Sequence, residues 1–124
     1  MIRISTKKAE ELHALLIRET GGTPDVRDRD LLDSALFAAF QTFGGEELYP
    51  TLAEKGARLG YSLIANHAFL DGNKRIGMLL MLTFLEVNGI RLKLDDNAVV
   101  STGLAVAGGK MNYEQLLAWI RQHQ

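Results

Sequence analysis

The sequence predicts an all-α fold of about six helices packed around one central hydrophobic helix. Two observations predict it. Apolar residues recur at three- and four-residue spacing along most of the chain, each stretch opened by a good capping residue. One stretch, 73–88, is apolar on nearly every side after its first turn, the pattern of a helix with neighbours all round.

Ser5 is a good N-cap, and Ala9, Leu12, Leu15 and Leu16 behind it trace one helical face, so residues 5–19 read as an amphipathic helix ended by Gly21-Gly22. After the turn-prone Thr23-Pro24-Asp25, Asp28 caps a second helix with Leu31, Leu32, Ala35, Leu36, Ala39 and Phe40 inward, running to about Gln41 before Gly44-Gly45. Pro50 introduces a third helix from Thr51 to about His67, buried along Leu52, Leu59, Leu63 and Ile64. The fourth, Asn73 to Asn88, carries Ile76, Met78, Leu79, Leu80, Met81, Leu82, Phe84, Leu85 and Val87 and should be the central one. Gly89 ends it and Arg91 to Leu94 forms a short extended connection. Asp95 or Asp96 then caps a helix to about Ala107, and Asn112 caps a last one through Gln122.

The 124 residues fit one domain spanning 1–124, which at this size buries roughly two thirds of the unfolded chain's surface. At 47% hydrophobic and 23% charged the composition is globular, which excludes a disordered chain and a membrane protein. No apolar run approaches the ~20 residues needed to span a bilayer. The 14 basic and 15 acidic residues give a net charge of -1, so direct nucleic-acid binding is not expected and any phosphate contact must come from a local cluster. Cysteine is absent, removing disulfides, zinc-thiolate sites and thiol nucleophiles together. With no apolar leader behind a basic start, a cytoplasmic location is expected.

The chemistry concentrates in residues 67–75, HAFLDGNKR. A helix begins with unpaired N–H donors and about half a positive charge, which makes that end an anion site. Asp or Glu in the first turn would gain about 0.3–1 kcal/mol from the dipole, yet Lys74 and Arg75 stand there. Two cations in the unfavourable place ask for a bound anion. Gly72 lets backbone approach a phosphate closely, and Asn73 can donate an amide or cap the helix. Asp71 is a hard oxygen ligand suited to magnesium, which takes one or two carboxylates plus phosphate oxygens; a magnesium nucleotide is the economical ligand. Imidazole exchanges protons near neutrality, so His67 is the candidate general base on a hydroxyl. Phe69 between them should anchor the loop in the core.

Each residue has a plainer explanation alone: a dipole partner at a helix end for His67, a turn for Gly72-Asn73, a solvated helix start for Lys74 and Arg75. Their concentration in nine residues, between two apolar helices, argues otherwise. His13 mid-helix and His123 in the tail read as structural or incidental, and Trp119 as a core anchor. Gly108-Gly109-Lys110 lacks the preceding strand and the Gly-Lys-Ser/Thr ending of a P-loop.

HAFLDGNKR resembles the active-site loop of the Doc (death-on-curing) branch of the Fic-fold family, H-x-F-x-[DN]-[AG]-N-K-R, at every motif position. The likeness continues into RDRDLLDSALFAAFQTFGGEELYP upstream and FLEVNGIRL downstream. It implies a Fic/Doc-like helical bundle. The wider family reads H-P-F-x-x-G-N-G-R-x-x-R and mostly transfers AMP to protein hydroxyls. This chain departs at Lys74, where adenylylating members have a glycine, at Met78, where they have the second arginine, and at Ala68, where they have proline.

A lysine at that position would obstruct the usual seat of the α and β phosphates, and Doc-type toxins are understood to bind ATP turned around. The resemblance therefore implies a protein kinase delivering the γ-phosphate, with His67 as base, Asp71 as magnesium ligand, and Asn73, Lys74 and Arg75 on the phosphates. Lys74 and Arg75 would also stabilise the charge on the transferring group. It further implies elongation factor Tu as target, a Phd-like antitoxin as partner, and residues 41–50, QTFGGEELYP, as a target-docking flap; a plain helix connection is the alternative there. Two rival readings remain, an AMP transferase and a non-catalytic phosphate- or peptide-binding helical module. The oligomeric state is not legible.

Overall fold

The computed structural model describes residues 1–124. Six helices form: α1 Thr6–Thr20, α2 Arg29–Ala38, α3 Leu52–Asn66, α4 Asn73–Val87, α5 Asp96–Ala107 and α6 Tyr113–Gln122. Five of them start on side-chain caps. Ser5, Asp28, Thr51, Asp95 and Asn112 each accept a backbone N–H from the first turn, and Thr51 with Glu54 and Asn112 with Gln115 close reciprocal capping boxes. Only α4 begins without a side-chain cap, on the left-handed Gly72.

The expected central helix is central. In α4, Ile76, Leu80, Met81 and Leu85 are fully buried and join a cluster of 21 buried residues to which all six helices contribute, α5 through Val106 alone. Its closest partner is α3, and small residues let the two backbones approach. A Cβ at Gly56 would fall 2.6 Å from Leu85, one at Gly60 2.7 Å from Met81, and one at Gly77 2.5 Å from Ile64. A methyl at any of these three points would force the facing side chain to shift.

Two expectations change. The second helix stops at Ala38, short of Gln41, because the chain turns there to send Phe40 inward, edge-on to Phe84 at 6.0 Å. The connection that follows is a small antiparallel hairpin, β1 Thr42–Phe43 and β2 Glu46–Glu47, with Thr42 opposite Glu47. It is anchored from α3 by Lys55, whose side chain is 1% exposed. The Lys55 ammonium pairs with Glu47 at 3.0 Å and donates to the Tyr49 carbonyl. A lysine enclosed to this degree needs both partners.

Trp119 sits at the rim of the core, half-buried, against the His123 ring at 4.7 Å. His123 is tied down at both ends of the residue: its Nδ1 lies 2.7 Å from the Trp119 carbonyl and its own carbonyl accepts Lys93 N–H. Near the start of α6, burial first, then the charge of Glu54, pushes the Tyr113 phenol up to about 12. No helix is long and apolar enough to cross a membrane.

Candidate functional site

The 67–75 segment links the two most intimately packed helices, and it has to reverse direction in six residues. His67 makes the first bend as the C-cap of α3 in the left-handed conformation, φ 51°, the one non-glycine residue of the chain with positive φ. Such a conformer costs a β-carbon-bearing residue on the order of 1 kcal/mol and marks over-determined backbone. Gly72 makes the second bend at φ 78°, where no side chain is needed. A Cβ there would lie 3.1 Å from Ile17.

Between the bends the loop alternates inward and outward. Ala68 and Phe69 are buried, while His67, Leu70 and Asp71 are exposed. Phe69 is the anchor expected of it, 1% exposed. The stretch 25–28 runs alongside and fixes the loop by its backbone. Arg27 and Asp28 donate to the Ala68 carbonyl at 2.8 and 3.0 Å, and Leu70 donates to the Asp25 carbonyl at 3.2 Å. The Arg27 guanidinium covers the end of α3, with Nε on the His67 carbonyl at 2.7 Å and an Nη on that of Asn66 at 3.2 Å. These are two of the last carbonyls that a helix leaves without partners.

Asn73, a phosphate ligand by the motif, has its side chain turned into the loop. Its side chain is buried at 9% exposure and spans back across the turn, Nδ2 donating to the Phe69 carbonyl at 2.9 Å and Oδ1 accepting the Phe69 N–H at 3.1 Å. Both ends of the amide are thus committed to shaping the loop, and what Asn73 offers an anion is its backbone N–H. That N–H, with those of Lys74 and Arg75, has no acceptor within the chain. Both side chains, Lys74 and Arg75, are exposed and take part in no ion pair. Three free donors and two free cations therefore converge at one helix end.

Lys74 and Arg75 also form the polar rim of a cavity of about 350 Å³ whose floor is Met78, Val99, Val100, Gly103 and Leu104. Gly103 shapes it, since a Cβ there would fall 3.2 Å from Met78. An anion held at the start of α4 would have an apolar recess beside it.

Asp71 is exposed, and its Oδ2 accepts the Thr23 N–H at 2.9 Å. The other oxygen makes no hydrogen bond within the protein and is open to a ligand. The chain has no group of three or more His, Asp or Glu side chains able to cage a metal by themselves. One available carboxylate beside an anion site fits magnesium carried in with phosphate oxygens, not a free-standing ion site. The His67 imidazole is exposed at the other end of the loop, its backbone fixed by Arg27.

Sequence reasoning passed over two residues. His13, read as structural or incidental and not tied to the loop, is fully buried beneath it and touches Phe69 and Asp71; Arg27 was given no role. A histidine at an inward helical position was the available signal for the first. For the second there was none, because its partners lie about forty positions away.

Comparison with known proteins bears on the same segment. Residues 3–85 match the model of the Fic/DOC family, which takes in α1 through most of α4. The chain is also similar to a curated protein described as Toxin Doc from Mycolicibacterium smegmatis, 45% identical over 75 residues. That alignment covers 60% of this chain and 58% of the relative's length.

Proposed function

The chain belongs to the Fic/DOC family, and on that premise we propose that it is the toxin of a toxin–antitoxin pair acting as a protein kinase. It would transfer the γ-phosphate of ATP to a hydroxyl side chain of a translation factor in the cytoplasm, elongation factor Tu by resemblance. A Phd-like antitoxin would be its partner. The observation that carries this reading is the start of α4, where Asn73, Lys74 and Arg75 offer unpartnered N–H groups and two unpaired cations to an anion.

In this reading the α4 terminus holds the phosphates, with Lys74 and Arg75 stabilising the charge that spreads over the transferring group. Asp71 would hold magnesium through its open oxygen; the ion, when bound, neutralises phosphate oxygens. His67 takes the proton of the attacking hydroxyl as its oxygen bonds to the γ-phosphorus, and the bond to the bridging oxygen breaks to release ADP. The fixed backbone of the loop keeps base and anion site at a set separation, so little reorganisation accompanies the reaction. Lys74 favours γ- over α-transfer because it fills the place of the glycine that adenylylating relatives use. Met78, 1% exposed, leaves no second arginine on the next turn.

The test uses purified protein, magnesium and elongation factor Tu, with γ- and α-labelled ATP in parallel. Label from γ alone is expected, falling by a factor of about 10²–10⁴ in His67→Ala. Label from α would make the chain an AMP transferase, and nucleotide binding without any label, unchanged in His67→Ala, would make it a binding module.

A further inference from the structure

We propose that His13 is a positioning residue for the 67–72 loop: it fixes the Asp71–Gly72 peptide, and through it the carboxylate of Asp71 and the first donors of α4. The proposal rests on the loop being the phosphate and magnesium site, but not on which group is transferred.

His13 lies in the middle of α1 at 0% exposure. Its ring stacks on Phe69, centroids 3.7 Å apart and planes 15° from parallel, and Nε2 is 2.7 Å from the Asp71 carbonyl oxygen. A carbonyl only accepts, so Nε2 carries the proton and the ring donates. Nδ1 is then a buried acceptor, and it has no partner. A residue present for packing alone would be leucine or methionine, which fill the same space without leaving a polar atom dry. The imidazole is explained by the one bond it makes.

That bond lands where orientation matters most. The Asp71 carbonyl belongs to the same rigid peptide plane as the Gly72 N–H, and the next residue starts α4. If the plane rotates, the left-handed bend at Gly72 and the free donors of Asn73, Lys74 and Arg75 move with it. On the other side of Asp71, Thr23, just beyond α1, holds Oδ2. The middle of α1 and the turn after it thus hold backbone and side chain of the same aspartate, leaving one carboxylate oxygen open. Gly72 is pressed against the same helix: a Cβ there would come within 3.5 Å of His13 Nε2.

The variants His13→Leu, which keeps bulk without a donor, and His13→Gln, whose amide nitrogen reaches the position of Nε2, are compared with the parent protein. Thermal melting, amide hydrogen exchange over residues 69–75, and the magnesium dependence of transfer are measured on each. His13→Leu is expected to stay folded, exchange faster at Phe69 and Leu70, the hydrogen-bonded amides of the loop, and need about tenfold more magnesium for half-maximal rate, as loss of an outer partner of a metal ligand generally does. KM for the protein target should not move, and His13→Gln should restore exchange and magnesium dependence. A His13→Leu protein with parental exchange and magnesium dependence overturns the proposal; so does a His13→Gln protein as impaired as the leucine variant. Should His13→Leu fail to fold, His13→Asn replaces it: its amide falls short of the carbonyl, so parity with His13→Gln overturns the proposal and a deficit supports it. If the parent transfers no label at all, the kinase reading falls, while hydrogen exchange still decides the role of His13.

Discussion

The α3–α4 pair and the loop that joins it are held together by different physics. Between the helices everything is apolar contact, brought to its limit by Gly56, Gly60 and Gly77. Within the loop only Ala68 and Phe69 bury apolar side chains, and position is set by hydrogen bonds from His13, Thr23, Arg27 and the 25–28 backbone. The first arrangement supplies stability and the second supplies geometry. Contact energy is spread over many atoms and tolerates adjustment, whereas a few directional bonds place a peptide plane and lose it when one is cut.

Changes on each side should therefore separate stability from activity. The largest stability effect is expected for Gly56→Ala, far from the loop at the start of α3. The new methyl would overlap Leu85, itself fully buried, and overpacking costs about 1–3 kcal/mol. Better helix propensity returns about 1 kcal/mol, leaving a net loss of up to about 2 kcal/mol. Calorimetry should show melting lowered by up to roughly 8 °C, with transfer per folded molecule unchanged at low temperature. A loss of activity larger than the loss of folded protein would break the distinction.

Arg27→Met should do the reverse. Because the guanidinium is exposed, its bonds to the Asn66 and His67 carbonyls add only about 1 kcal/mol to stability. Freeing the left-handed bend at His67 should nevertheless lower kcat by about tenfold, the scale on which small misplacement of a base acts. An unaltered kcat would show that the 25–28 backbone bonds suffice.

The smallest effect is electrostatic and lies away from both regions. The Tyr113 phenol is raised from 10.0 to about 12, so the unfolded chain ionises first as pH rises. Its contribution is fully present below pH 10 and is lost as pH climbs through the folded value near 12. Chemical denaturation at pH 9 and pH 11.5 should show Tyr113→Phe losing less stability than the parent over that interval.

The same division explains what could be read in the sequence. Caps at Ser5, Asp28, Thr51, Asp95 and Asn112 and the apolar run of α4 are local signals, and the helices follow them within a few residues. The 42–47 hairpin left one signal, the Gly44-Gly45 pair that turns it at positive φ, and no more, because two-residue strands with exposed side chains have no period to detect. In the site, the cation-bearing helix start was legible as a broken local rule. The inward turn of the Asn73 amide and the support from His13 were not, since each depends on a partner whose position the fold alone decides. His13 lies 58 residues from Asp71.

Lys55 gives the hairpin a chemical consequence. Its amine is enclosed, ion-paired to Glu47 and bonded to the Tyr49 carbonyl, so it is no nucleophile toward acyl donors while the hairpin is seated. Lifting β2 off α3 removes Glu47 and exposes the amine to solvent. Acylation in that interval would abolish the charge and strand a bulky amide where an ammonium had fitted, and the hairpin could not reseat. The hairpin protects the group that anchors it.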